Sequence, residues 1–174
     1  YDETLDGIGC KEDLPNFYIN ACGKISAPGT YFVTSSLSSG LEGCLQIEDT
    51  RDVILDGQGN SISIGKSANI GAISVKNSKN IKIRGFHFLE NIVSNTAPKT
   101  IIALSGVAQS AIQNNVFKSK GNVMTDIYLI DSSDNEISNN QFENDGSDEI
   151  NEKKKFCASK GVKFIIADVF SKGG

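Results

Sequence analysis

Residues 126–142 read DIYLIDSSDNEISNNQF, and three earlier stretches lie over them row by row: CLQIEDTRDVILDGQGNSI at 44–62, AISVKNSKNIKIRGFHF at 72–88 and IIALSGVAQSAIQNNVF at 101–117. Each row opens with an alternating aliphatic pair: Leu45 and Ile47, Ile73 and Val75, Ile102 and Leu104, Ile127 and Leu129. Eight residues after the second member comes Leu55, Ile83, Ile112 or Ile137. Five further on stand Phe88, Phe117 and Phe142, with Ile62 serving the first row through a longer turn. The offsets between rows, taken from Ile47, Val75, Leu104 and Leu129, are 28, 29 and 25 residues. Alternation with period two puts each row's aliphatics on one face of a short strand, and a repeated row stacks like on like. Two positions beyond Leu55, Ile83, Ile112 and Ile137 stand Gly57, Gly85, Asn114 and Asn139. Glycine and asparagine enter left-handed backbone conformation at least cost, so this column predicts a turn with positive φ in every row.

Rows of this length, each with three short strands, predict an all-β fold: a single-stranded parallel β-helix, or solenoid, of about four to five coils. The right hand is expected from the general rule for parallel connections. A leucine-rich repeat is disfavoured, because the rows contain no L-x-x-L-x-L framework or helical arc. Composition agrees: 21 Ile stand against 9 Leu, with 20 Ser, 17 Gly and 16 Asn among 174 residues, which suits strands and tight turns better than helices. No apolar run approaches the roughly 18 residues of a membrane span. A net charge of −4 gives no basic footprint for nucleic acid. With Trp absent and aromatics at 7%, little is left for the stacking platforms of sugar or base sites. The chain reads as a single domain, with coils over 22–143, an N-terminal cap or arm over 1–21 and a C-terminal cap or docking segment over 144–174.

The stretch 22–62, CGKISAPGTYFVTSSLSSGLEGCLQIEDTRDVILDGQGNSI, resembles the opening of the pectate-lyase-like β-helix proteins related to the NosD copper-maturation factor and its archaeal surface-protein relatives. Those proteins commonly begin with a cysteine, a Pro-Gly-Thr-Tyr entry strand, a second cysteine and a V-x-L-D-G-x-G turn. The counterparts are Cys22, Pro28-Gly29-Thr30-Tyr31, Cys44 and Val53-x-Leu55-Asp56-Gly57-x-Gly59. The resemblance spans about residues 22–143 and speaks for the fold more than for an activity. It implies a Cys22–Cys44 disulfide that clips the entry strand to the first coil.

Four cysteines allow three pairings; without C-x-x-C spacing, and with His87 the only histidine, disulfides are a better reading than zinc. With Cys22 and Cys44 paired, Cys10 and Cys157 flank opposite ends of a stack about 20–25 Å long, whereas a disulfide needs Cα atoms about 4.4–6.8 Å apart. Either a terminal segment runs back along the solenoid, or the bond joins one subunit's tail to the next subunit's head. The chain opens at Tyr1 without an initiating Met or signal peptide, which leads us to expect a secreted product whose leader has been removed, though a trimmed chain would look the same. No N-x-S/T sequon is present, so N-glycosylation is not expected.

The end coils of a solenoid present unpaired strand edges that are either capped or used for assembly. The apolar, strand-like run 162–170 beyond the charged 145–155 reads as a last coil or C-terminal cap, or as an edge strand that another copy completes; Phe17 and Tyr18 in the first flank, and Phe164, Ile166 and Phe170 in this run, are the candidate assembly residues. Enzymes of the resembling families use clustered Asp with a nearby base. Here one column holds Asp49, Asn77, Gly106 and Asp131, another Asp52, Asn80, Gln109 and Asp134. Only Asp49 and Asp52, with Arg51 between them, approach an acid pair, and turn chemistry is the better reading for both, as it is for Asp56. Arg84 reads as a lone base, and His87, between Phe86 and Phe88, as a structural histidine. Copper delivery calls for His, Met or Cys clusters; one histidine and Met124 do not supply them, so no metal, cofactor or catalytic residue is expected. Asn114, Asn115, Asn139 and Asn140 read as a hydrogen-bonded ladder. The expected function is structural and extracellular: a subunit that assembles with itself into a cell-surface filament, sheath or adhesive appendage. A carbohydrate-active or carbohydrate-binding protein, with an acidic surface polysaccharide as partner, is the alternative.

Overall fold

A computed structural model describes residues 13–65, 70–90, 100–119 and 125–144, together with 156–157, 163–164 and 168–169. The strands follow in order: β1 (Asn16–Ile19), β2 (Gly23–Ile25), β3 (Gly29–Val33), β4 (Leu37–Ser38), β5 (Leu45–Glu48), β6 (Arg51–Asp56), β7 (Ser61–Ile64), β8 (Ile70–Arg84) and β9 (His87–Glu90). The remainder are β10 (Thr100–Ala108), β11 (Ala111–Gln113), β12 (Val116–Ser119), β13 (Thr125–Ile130), β14 (Glu136–Ser138), β15 (Gln141–Asn144), β16 (Phe156–Cys157), β17 (Lys163–Phe164) and β18 (Asp168–Val169). Every pairing between these strands is parallel. The described residues contain no helix.

The strands build three faces. One runs β2, β5, the start of β8, β10, β13 and β16. The second runs β1, β3, β6, the end of β8, β11, β14 and β17. The third runs β4, β7, β9, β12, β15 and β18. The chain visits the faces in turn, and the result is a parallel β-solenoid. Because β8 and β10 continue through the corner between the first two faces, those faces merge into one 12-stranded sheet. The registers are those of the sequence rows: Ile47 pairs with Val75, Val75 with Leu104 and Leu104 with Leu129, while Leu55, Ile83, Ile112 and Ile137 form the corresponding column on the second face.

Period-two alternation sends these columns inward. Ile47, Leu55, Ile62, Ile73, Phe88, Phe117, Ile127 and Phe142 are all fully buried. The third face stacks Phe88 on Phe117 at 4.8 Å between centroids and Phe117 on Phe142 at 4.9 Å. The column begins with Leu37 and Ile62, so the phenylalanines fill the solenoid only from the third coil onward.

At the ends the structure is more regular than the flanks 1–21 and 144–174 suggest. Asn16–Ile19 is a rung of the second face, paired residue by residue with Thr30–Val33. Phe17 stacks on Tyr31 at 4.7 Å and Tyr18 on Phe32 at 5.6 Å. Tyr31 donates its hydroxyl to Ala27 O at 2.8 Å, and burial raises its pKa above the ordinary 10.0. At the other end β16, β17 and β18 add one strand to each face. Phe164 continues the Ile137 column and Val169 the Phe142 column; Ile166 and Phe170 lie outside the described residues, as do Cys10 and Met124.

The turn column needs one correction. Gly85, Asn114 and Asn139 have φ of 75°, 57° and 54°, whereas Gly57 is not among the positive-φ residues; the longer first turn moves that conformation to Gln58 and Gly59, at 51° and 79°. Gly57 is required for space instead. A Cβ there would lie 2.6 Å from Phe86 Cγ and 2.7 Å from Gly85 O, because the next coil crosses directly over it.

Truncating the middle ring of the stack tests this packing. Phe117→Ala is expected to lower unfolding free energy by about 3–5 kcal/mol, and Phe117→Leu by much less, measured by urea denaturation followed by circular dichroism. A loss below about 1 kcal/mol for the alanine variant would contradict a stacked core.

Candidate functional site

The corner between the first two faces is made by a pair of left-handed residues in each row. Asp49, Asn77, Gly106 and Asp131 have φ between 49° and 67°, and Asp52, Asn80, Gln109 and Asp134 between 54° and 56°. Two residues separate them, so each coil bends twice within four positions. The side chains then bond along the axis: Asn77 Nδ2 donates to Asp49 Oδ1 at 3.4 Å and Asn80 Nδ2 to Asp52 Oδ1 at 2.7 Å. Thus the two acids nearest to a catalytic pair each take an amide from the coil above, and Asp52 also faces Arg51 Nε at 3.7 Å. These columns were visible in the sequence as polar columns; their Asp, Asn and Gly content was the signal for αL corners.

A shallow groove of about 780 Å³, widely open to solvent, runs along this corner, lined by Ser26 and Pro28 of the first coil, Asp49, Thr50 and Arg51 of the second, Lys79 of the third and Gly106 of the fourth. Sequence spacing found its acids but not the groove, which exists only once the coils are stacked.

Beside the corner, polar side chains enter the core. Ser78, Ser110 and Ser132 are buried; Ser110 Oγ accepts from Ile81 N at 2.9 Å, and Ser132 Oγ from Val107 N at 3.1 Å. Asn135 Oδ1 accepts from Ser110 N at 2.9 Å, while its Nδ2 donates to Val107 O at 3.0 Å.

At the opposite corner Asn115 Oδ1 accepts from Phe86 N at 3.0 Å, its Nδ2 donates to Ile83 O at 3.1 Å, and Asn140 repeats the arrangement with Asn115 N and Ile112 O. Of the four asparagines read as one ladder, Asn115 and Asn140 are 1% exposed and carry it; Asn114 and Asn139 are exposed turn residues. Glu90, buried at the end of β9, accepts from Ser119 Oγ at 3.1 Å, and Asp126 is buried at the start of β13; neither stood out in the sequence.

Two further residues are now placed. Arg84 is not a lone base: its Nε lies 3.3 Å from Asp56 Oδ2, while Asp56 Oδ1 accepts from Gln58 N at 2.9 Å. Asp56 therefore holds its own turn and anchors the coil above. His87 is half-buried between the buried Phe86 and Phe88. Among the described residues no three His, Cys, Asp or Glu side chains form a metal-binding group, and no helix is long and apolar enough to cross a membrane. Cys22 and Cys44 are bonded, with Cα atoms 4.6 Å apart.

The architecture and its corners thus define a parallel β-solenoid with a disulfide riveting its first full coil to its second. Compared with protein-family models the chain matches none, and compared with curated proteins it matches none either.

The buried amides give a sharp test. Asn115→Ala strips partners from Phe86 N and Ile83 O inside the core and is expected to cost at least about 2 kcal/mol. Asn114→Gly, one residue away, keeps the left-handed turn and is expected to stay within about 0.5 kcal/mol of the parent. Thermal and denaturant unfolding of both variants measure the difference; equal losses would contradict the ladder.

Proposed function

We propose that this protein is a non-enzymatic extracellular structural protein, a self-assembling subunit of a cell-surface filament, sheath or adhesive appendage that stacks head to tail or exchanges strands. One observation carries the reading. Among the described residues β1, β2 and β4 are hydrogen-bonded on one side only, and β16, β17 and β18 end the same three faces at the other pole. Open parallel edges are templates for another chain. The first pole also leaves apolar side chains in water: Phe17, in the inward column of β1, is 38% exposed and Leu14 40%. The Cys22–Cys44 disulfide suits an oxidising compartment. The resemblance to the pectate-lyase-like and NosD-like superfamily, with its archaeal surface proteins, adds support for a surface location.

A heterologous contact between unlike ends propagates into a filament unless it closes. Light scattering of the purified chain is expected to rise with concentration, with fibres under the electron microscope. Phe17→Asp is expected to abolish both while preserving the β circular-dichroism spectrum. A strictly monomeric parent at high concentration would sink the reading.

The groove favours the second reading, a carbohydrate-active or carbohydrate-binding solenoid. Arg51 and Lys79 offer cations to an acidic polysaccharide, with Asp49 and Asn77 as hydrogen-bonding groups along one shallow, open groove. It predicts retention on, or Ca²⁺-dependent cleavage of, an acidic polysaccharide, lost in Asp49→Ala or Asp52→Ala. Affinity electrophoresis in a polyuronate gel, paired with a reducing-end assay, decides it; unchanged mobility and no cleavage would reject it.

A further inference from the structure

The flank around the corner between the first two faces is banded by charge. In the third coil Lys76, Lys79 and Lys82 are exposed at intervals of three residues, and in the fifth coil Asp131 and Asp134 are exposed and Glu136 is half-buried over the same part of the row. The fourth coil between them is neutral and small. Ser105, Ala108 and Ala111 are the register partners of Lys76, Lys79 and Lys82, and on their other side Ala108 and Ala111 meet Ser133 and Glu136. Lys82, Ala111 and Glu136 thus form one column, whose charged ends stand two coil steps apart, about 9.6 Å at about 4.8 Å per step. The ion pairs among the described residues are Lys24–Glu48, Arg51–Asp52, Arg84–Asp56 and Lys118–Glu143. None of them uses any of the six charged groups of the two bands, and Glu136 Oε1 accepts from a neutral neighbour, Ser138 Oγ, at 3.0 Å. One sign of charge concentrated on one coil sets up a field that an opposite surface relieves.

We propose that this flank is a self-complementary docking surface on which a second copy of the chain lies antiparallel, the lysine band of each copy over the carboxylate band of the other. A two-fold axis perpendicular to the solenoid and level with the fourth coil exchanges the third and fifth coils and keeps position along the strand. Lys82 of one copy then comes to Glu136 of the other, and Lys79 to the interval between Asp131 and Asp134. Each of these pairs occurs twice, as a two-fold contact requires. The fourth coil lies on its own counterpart, where Gly106, Ala108 and Ala111 leave room for the two backbones to approach. The charges also fix the level of the axis. The second coil offers acids too, but Glu48 faces Lys24 at 3.6 Å, Asp52 faces Arg51 at 3.7 Å and Asp49 accepts from Asn77 at 3.4 Å, and Arg51 would bring a cation against the lysines. From Thr125 to Asn144 the fifth coil contains no Lys or Arg. The contact lies on the flank, so it is independent of the poles and of head-to-tail stacking.

Exposed ion pairs across a contact set its specificity and are screened by salt, so the association is expected to be salt-labile. The test uses the full chain carrying Phe17→Asp, which removes the exposed aromatic of the first pole and leaves the flank intact. Sedimentation equilibrium is expected to show monomer and dimer at about 0.02 M salt and monomer alone at about 1 M, where the Debye length falls to about 3 Å. Lys82→Glu and Glu136→Lys, added singly, are each expected to weaken the dimer at least about tenfold, since each sets like charges opposite one another at both copies of the pair. Both positions lie on the outer surface of strands, and circular dichroism checks that the fold is unchanged. An equimolar mixture of the two variants is expected to form a heterodimer within about threefold of the parent affinity, because opposite charges then face each other again at both places. A monomer at every salt concentration, a dimer that persists at about 1 M salt, or a mixture that stays as dissociated as its components would overturn the proposal. Retardation of the parent in a polyuronate gel with no dimer at low salt would overturn it as well, and would assign the lysine band to a polyanion.

Discussion

Hydrogen bonding between successive parallel coils is the constraint on which everything else depends. A coil can bond to its neighbours along three faces only if it turns its corners where they do. The position of each bend therefore becomes a property of the column rather than of the single residue. Two left-handed residues recur at one corner in every row, Asp49 with Asp52, Asn77 with Asn80, Gly106 with Gln109 and Asp131 with Asp134. Glutamine is the costly member of that series, since αL conformation is unfavourable for side chains unable to hydrogen-bond locally. Its presence shows that the ladder of bonds on either side outweighs a local cost of about 1–2 kcal/mol.

The same constraint explains why the interior is not uniformly apolar. Where the chain turns between faces, backbone groups leave the ladder and point into or across the core. Burying them unpaired would be costly. In the later coils Asn115, Asn135 and Asn140 enter the core to satisfy them, each bonding a neighbouring coil. In the earlier coils the corresponding positions hold Phe86, Val53 and Ile81, all buried. The solenoid thus exchanges apolar packing for amide bonding along its length, while the Phe88, Phe117 and Phe142 column supplies aromatic stacking to the coils richest in buried amides.

Much of this was legible in the residues. The inner columns follow from alternation and offset alone, because a period of two fixes which side chain goes inward. The cysteine clip came from a resemblance. Corner geometry was harder: turn chemistry was the better reading for Asp49 and Asp52, but the left-handed φ angles and the bonds to Asn77 and Asn80 in the next coil follow only from the stacked structure. Gly57 fitted the turn column by spacing, yet its φ is ordinary, since two extra residues in that turn shift the bend to Gln58 and Gly59. The Arg84–Asp56 pair was missed because it joins residues 28 positions apart, a proximity visible only once the rows are stacked. The apolar run 162–170 read as a last coil or cap, and β17 and β18 fall within it, whereas Asn16–Ile19 escaped notice as a rung because it does not repeat the full row.

A stack in which each coil touches only its neighbours has the energetics of a one-dimensional chain of linked units. Such a chain frays from its ends, and its two ends are not equivalent here. Cys22 and Cys44 join the strand entries of β2 and β5, so the outermost full coil at the N-terminal pole is tied to the coil beneath it. Loss of structure on warming is thereby biased to begin at the opposite pole and travel toward the rivet, giving the molecule a direction of unravelling.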